Sequence, residues 1–200
     1  MQVNLEPMNV EPVTLRGRRV RLEPMALEHV DALARVGLDP DLWRWIPTAV
    51  NDIADMRKYV EIALDERSRG VSMPFVTVDQ SSDLVIGSTR YANIDRANRR
   101  LEIGWTWLAP AYQRTGANTE AKLLMLAHAF DVLRAIRVEF KTDALNATSR
   151  AAIARIGAVE EGTFRNHLIT QSGRVRDSVY FSIIEQEWPV VKARLEGLCR

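Results

Sequence analysis

Leu101-Glu102-Ile103-Gly104-Trp105-Thr106-Trp107-Leu108 runs into Ala109-Pro110-Ala111-Tyr112-Gln113-Arg114-Thr115-Gly116-Ala117-Asn118 and then into Thr119-Glu120-Ala121-Lys122. The first segment reads as a strand, the second as a tight basic turn, and the third as the opening of a helix. That helix carries Leu123, Leu126, Ala127, Phe130 and Leu133 on one apolar face. A helix N-terminus presents unpaired N–H groups and a partial positive charge, so it holds phosphate oxygens without special side chains. Gly116 allows close backbone approach, and Arg114 adds a mobile cation. The unit is suited to a pyrophosphate. Neither a P-loop nor a Gly-x-Gly-x-x-Gly string is present, because Gly104 and Gly116 are the only glycines between Leu101 and Phe130.

Working outward, the turn contains Gln113-x-x-Gly116-x-Asn118 after a strand ending in Ala109-Pro110. This resembles the acyl-CoA-binding motif of the GCN5-related N-acetyltransferase (GNAT) superfamily, Gln/Arg-x-x-Gly-x-Gly/Ala. Asn118 departs at the third position, although asparagine tolerates left-handed backbone better than most residues. Downstream, Arg137–Asp143 alternates apolar and charged residues like a strand, Asn146 follows, and Ser149–Ile156 reads as a short helix ended by Gly157. Superfamily members carry the same Asn-to-Gly spacing. Thr119-Glu120-Ala121, with Glu161-Gly162 further on, is similar to the branch that acetylates ribosomal-protein N-termini. The resemblance spans roughly Val13 to Val190.

The rest of the chain fits that architecture. Val20–Leu22 reads as a strand, and Leu27–Val36 and Ile53 onward to Gly70 as helices, the second capped by Asp52. Phe75–Val78, Leu84–Ile94, Thr163–Thr170 and Val175–Ile184 read as further strands. This order predicts an α/β (α+β) fold with a mixed, mostly antiparallel sheet of about seven strands and helices on both faces. The resemblance adds that the central strands splay and that the cofactor lies in the gap. Residues 1–12 read as a flexible lead-in and 13–200 as one domain.

Composition sets limits. With 46% hydrophobic residues over 200 positions, one sizeable core is expected. Lys plus Arg numbers 27 against 26 acidic residues, which argues against nucleic acid as a partner. A local basic cluster does occur at Arg16, Arg18, Arg19 and Arg21. One cysteine, Cys199, excludes an internal disulfide and fits a reducing compartment. No signal peptide or membrane-spanning run is visible, so a cytoplasmic location without membrane association is expected. His29 and His128 have no metal-ligand spacing, and no metal is expected.

The resemblance implies acetyl-CoA as cosubstrate. Trp107 and Leu108 would pair their backbone with its pantetheine arm, while Gln113, Arg114, Thr115, Gly116, Ala117, Asn118 and Thr119 would hold the pyrophosphate. Asn146 would lie near the thiol end. Many relatives use a tyrosine seven residues after the motif asparagine as the acid, but Ile153 stands there. In the ribosomal branch a serine three residues after it serves, and Ser149 matches. As base, Glu102 stands where relatives often place a glutamate, and His167 is the alternative, its near-neutral titration suiting proton relay. Strand alternation places Glu102 opposite Ile103, Trp105 and Trp107, unless a bulge reverses the register. Each residue has a plainer structural reading, Ser149 as a first-turn cap, Glu102 as an ion-pair member and His167 as hairpin packing.

The acceptor would lie against Trp43 and Trp45, on the segment joining the first two helices, and against the late hairpin. An α-amine titrates near pH 8, whereas a lysine amine is about three units worse, roughly 4 kcal/mol. Weak base candidates therefore point to a protein or peptide N-terminus. A small amine (antibiotic, polyamine or amino acid) and a non-catalytic acyl-CoA sensor are the alternatives. Relatives also leave a homodimer open.

Overall fold

A computed structural model describes residues 6–200. In chain order its elements are β1 (Leu15–Arg16), β2 (Val20–Pro24), α1 (Val30–Gly37), α2 (Ile53–Ser68), β3 (Met73–Asp79), β4 (Val85–Asp95), β5 (Arg100–Leu108), α3 (Ala117–Ala127), β6 (Arg137–Asp143), α4 (Ala147–Arg155), β7 (Val159–Ile169), β8 (Val175–Ile184) and α5 (Trp188–Leu198). The strands form one sheet in the order β1-β2-β3-β4-β5-β6-β8-β7. Only β5 and β6 run parallel. The eighth strand beyond the expected number is β1, two residues paired at the edge of β2.

The expected splay is present at the centre. Strands β5 and β6 pair at Arg100–Arg137, Leu101–Val138 and Glu102–Glu139, and their register ends there. Beyond it β6 stays paired with β8 through Asp143, while β5 follows β4 up to Leu108. The two strands are thus held by different neighbours, and a gap opens between them.

Helices cover the sheet unequally. On one face α3 and α5 close a core containing Leu101, Ile103, Val138, Phe140, Val179, Phe181 and Leu195. On the other, α1 and α2 cover only the β3–β5 part, enclosing Leu33, Trp43, Met56, Tyr59, Val76 and Trp107. A bulge in β5 changes the expected alternation. Trp105 takes φ +48°, and the register shifts from Arg90↔Gly104 to Ser88↔Trp107. Ile103 therefore stays under α3, while Trp105 and Trp107 join the α1–α2 face, the one that Glu102 occupies.

Two expectations are corrected. The lead-in over residues 1–12 extends outside the described residues, but within them Met8 and Val10 are 2% and 3% exposed. Arg96 donates to both their carbonyls, so core packing has begun by Met8. Helix α5 was not expected, although Trp188, Val191 and Leu195 follow helical spacing, with Pro189 in the first turn.

One core residue is unusual. Lys122 of α3 is 6% exposed, and among the described residues its Nζ meets only hydroxyls, Thr106 Oγ1 at 2.6 Å and Thr89 Oγ1 at 3.4 Å. Burial without a carboxylate pulls its pKa down from 10.5 to about 7. Since this folded value lies below the unfolded one, the destabilisation is fullest below about pH 7 and fades as pH rises toward 10.5. Lys122→Met should therefore raise stability by roughly 2–4 kcal/mol at neutral pH. Thermal melts of both proteins should converge as pH approaches 10, and identical melting at pH 7 would contradict the assignment.

Candidate active site

The turn before α3 presents its backbone outward. Pro110–Tyr112 forms one helical turn, Gln113 Nε2 donates to the Leu108 carbonyl at 3.0 Å, and Thr115 Oγ1 donates to Tyr112 O at 2.7 Å. These side chains shape the loop from within. Gly116 has φ +90°, a conformation that costs other residues about 1–2 kcal/mol. Helix α3 begins directly after it at Ala117, two residues earlier than the sequence suggested. Among the described residues the N–H groups of Arg114, Thr115, Gly116, Asn118 and Thr119 have no backbone acceptor. Asn118 Oδ1 is buried without a partner.

These features suit a diphosphate, with free N–H donors, a helix N-terminus and space over Gly116, where a Cβ would meet nothing closer than 3.7 Å. The unpaired edge of β5 beyond Glu102 leads from this turn into the sheet, where an extended amide-bearing chain could pair as a strand does. The second motif lies beside the first. Asn146 caps α4 by accepting from Ser149 N at 3.0 Å, and Arg155 at the end of α4 donates to Thr119 Oγ1 at 2.8 Å. Asn146 therefore does the capping that Ser149 could have done, and the Ser149 hydroxyl makes no hydrogen bond to the described residues.

Glu102 and His167 are linked on the open face through Lys141 and Tyr180. Glu102 is 2% exposed; its Oε2 accepts from Asn93 Nδ2 at 2.8 Å and lies 3.3 Å from Lys141 Nζ. Its Oε1 sits where a side chain on residue 104 would begin, 3.0 Å from that Cβ position, so glycine there makes room for the carboxylate. Oε1 accepts no hydrogen bond from the described residues. Lys141 Nζ lies 5.9 Å from the Trp105 ring centroid and 5.6 Å from that of Tyr180.

His167 reaches this group through a second bulge. Between the pairs Phe164↔Ser178 and Leu168↔Arg176 the β7 register shifts, Asn166 takes φ +51°, and its N–H donates to Asp177 Oδ1 at 2.7 Å. The imidazole packs against Phe164 and Tyr180, and its Nδ1 is buried without a partner among the described residues. Burial first, then the Lys141 and Arg176 cations, hold its pKa below the usual histidine value. A cavity of about 460 Å³, lined in part by Asn93, Glu102, Phe164 and Tyr180, opens on this face.

The two tryptophans part company. Trp43, expected to grip the acceptor, is a core residue at 2% exposure, edge-on to Tyr59, with its indole N–H donating to Gly37 O at 2.7 Å. Trp45 remains partly exposed, near the guanidinium groups of Arg44 and Arg174. The backbone of this segment is fastened to the hairpin, since Gln171 Nε2 donates to Trp43 O at 3.0 Å and Arg176 to Trp45 O at 3.3 Å.

Sequence reasoning missed the supports of this site. Arg90, 2% exposed, pairs with Glu66 at 2.9 Å and lies about 5.1 Å from both the Tyr59 and Trp105 rings. Asn93, at φ +48°, orients Glu102. Asp143, 1% exposed, binds Arg174 and faces Arg176. Only Asp143 carried a sequence signal, as an acid ending a strand just before the motif asparagine.

A splayed mixed sheet with a turn of free N–H donors at the gap is the architecture expected of an acyl-CoA-dependent transferase. The chain belongs to the GNAT acetyltransferase family, whose domain profile matches residues 19–159. It is similar to a GCN5-related N-acetyltransferase from Brucella melitensis, with 32% identity, TM-score 0.87, and coverage of 97% of this chain and 89% of that one. Mycobacterium smegmatis RimJ, solved with CoA-disulfide, shares 25% identity at TM-score 0.82 over 96% of each chain. YdaF of Bacillus subtilis, provisionally named a ribosomal N-acetyltransferase, is 38% identical over 96 residues, 48% of this chain and 51% of its own. The protein is thus an N-acetyltransferase using acetyl-CoA.

Gly116→Val should fold but bind CoA at least tenfold more weakly, because a branched side chain both strains φ +90° and fills the space over the turn. Calorimetric titration checks this; unchanged affinity would refute the assignment of the turn.

Proposed function

We propose that this enzyme acetylates the α-amine of a protein or peptide N-terminus, of the kind borne by ribosomal proteins. The observation that carries the reading is Glu102, a carboxylate at the end of the β5–β6 pairing with one oxygen free and the other fixed by Asn93 and Lys141. Acetyl-CoA, when bound, supplies an activated thioester. Glu102 Oε1 takes the proton that the acceptor nitrogen loses. The neighbouring Lys141 cation disfavours an ammonium ion in the same place, which an α-amine tolerates better than a lysine amine, because it gives up its proton about three units lower. His167, held neutral, serves as a second proton acceptor on the hairpin side. Ser149, at the start of α4, offers its free hydroxyl to the departing sulfur.

The pantetheine arm is assigned to the backbone of Trp107 and Leu108, and the diphosphate to Gln113–Thr119. Asn146 is assigned to shaping the helix start beside them. The acceptor chain is assigned to the cleft between Trp45 and the β7–β8 hairpin. The provisional ribosomal name of YdaF supports this choice of acceptor class.

Three measurements test the proposal. Thiol release from acetyl-CoA should appear with peptides bearing a free N-terminus and vanish when that terminus is blocked while lysines remain; release with small amines alone would overturn it. Glu102→Gln should lower kcat at least a hundredfold with little change in CoA affinity, since a general base contributes about 10²–10⁴. Ser149→Ala should reduce kcat more modestly, and unchanged turnover would return that serine to a structural role.

A further inference from the structure

The basic turn between β1 and β2 has no role in the chemistry above, yet the structure delivers it to the cofactor turn. Its tether is Glu120, 4% exposed in the first turn of α3. The Glu120 carboxylate accepts three backbone N–H groups, from Arg18 at 3.0 Å, Arg19 at 2.7 Å and Val20 at 2.8 Å. This carboxylate is therefore engaged by main chain and not by the arginine side chains next to it.

Consequently Arg19 lies against the phosphate turn with its charge unspent. Its Nε, Cδ and Cζ stand 3.7–3.9 Å from the point where a side chain on Gly116 would begin. Arg155 reaches the same helix turn from α4, through Thr119, and Arg114 lies two residues before Gly116. None of these three guanidinium groups is ion-paired among the described residues, whereas Arg137, Arg90 and Arg174 elsewhere each face a carboxylate. Arg19 and Arg155, from two separate elements, thus reach a helix N-terminus where the Asn118 and Thr119 N–H groups have no backbone acceptor among the described residues, and Arg114 belongs to the same turn. Their mutual repulsion is relieved by an anion.

We propose that Arg19 is a diphosphate-binding residue of the acetyl-CoA site, and that Glu120 is the positioning residue that holds its turn in place. The proposal rests on the family's use of acetyl-CoA but on none of the acceptor chemistry. It commits to the diphosphate, and not the ribose phosphate, because Arg19 stands beside Gly116 itself.

Calorimetric titration of the full chain with CoA, dephospho-CoA and pantetheine tests it without any acceptor. Arg19 is exposed, so Arg19→Ala should fold as the wild type does. It should weaken CoA and dephospho-CoA alike by about tenfold, the worth of one charge-assisted contact, and leave pantetheine unchanged. Arg19→Lys should recover part of the loss, and added salt should shrink the difference between variant and wild type. Unchanged CoA affinity would overturn the proposal. So would an equal loss for pantetheine, which would mark a general structural effect, or a loss confined to CoA, which would move Arg19 to the ribose phosphate. Wild-type protein binding none of the three would remove the cofactor assignment itself.

Discussion

The loss of pairing between β5 and β6 after Glu102 is the constraint on which the rest of the site depends. A sheet normally satisfies its strands on both sides, and a strand edge left open inside a domain leaves main-chain donors and acceptors without partners. Here each central strand is retained by its outer neighbour, β5 by β4 and β6 by β8. The opening therefore costs little of the fold, and it supplies a main-chain surface on which an extended acyl carrier can lie. Glu102 stands at the fork, on the last residue of β5 that still pairs with β6.

Around that fork the regular geometry is broken in a directed way. The bulge at Trp105 turns two indoles onto the face of Glu102, the irregularity at Asn93 aims an amide at its carboxylate, and the β7 bulge brings His167 over Tyr180. Trp105, Asn93 and Asn166, three of the non-glycine residues at positive φ, each mark a place where a side chain has been redirected into one cleft. Such conformations persist only where surrounding packing over-determines them. Arg90, fixed by Glu66 and lying near Tyr59 and Trp105, supplies that packing for the first bulge.

Much of this was legible in the residues, for physical reasons that differ by region. The turn before α3 was readable because it needs glycine at one φ and leads straight into a helix. The succession of strands and helices along the chain followed from alternation and turn residues. What could not be read was the direction in which strand side chains point once a bulge intervenes, since one extra residue exchanges the faces. Trp43 illustrates the limit. Its neighbour Trp45 looks the same in sequence, yet only the fold decides which indole enters the core. The Asn93–Glu102 and Glu120–Arg19 contacts join segments far apart along the chain or across a bulge, and no local pattern encodes them.

The fastening of the Trp43–Trp45 segment to the hairpin has a consequence of a different kind. Gln171 and Arg176 grip the carbonyl oxygens of residues 43 and 45, and every amino acid carries such an oxygen. The lip of the cleft is thus held whatever side chain decorates position 45. With the acceptor assigned to this cleft as proposed, descendants of such a chain can exchange that decoration, and with it the molecule they recognise, while the lip stays shut against the hairpin.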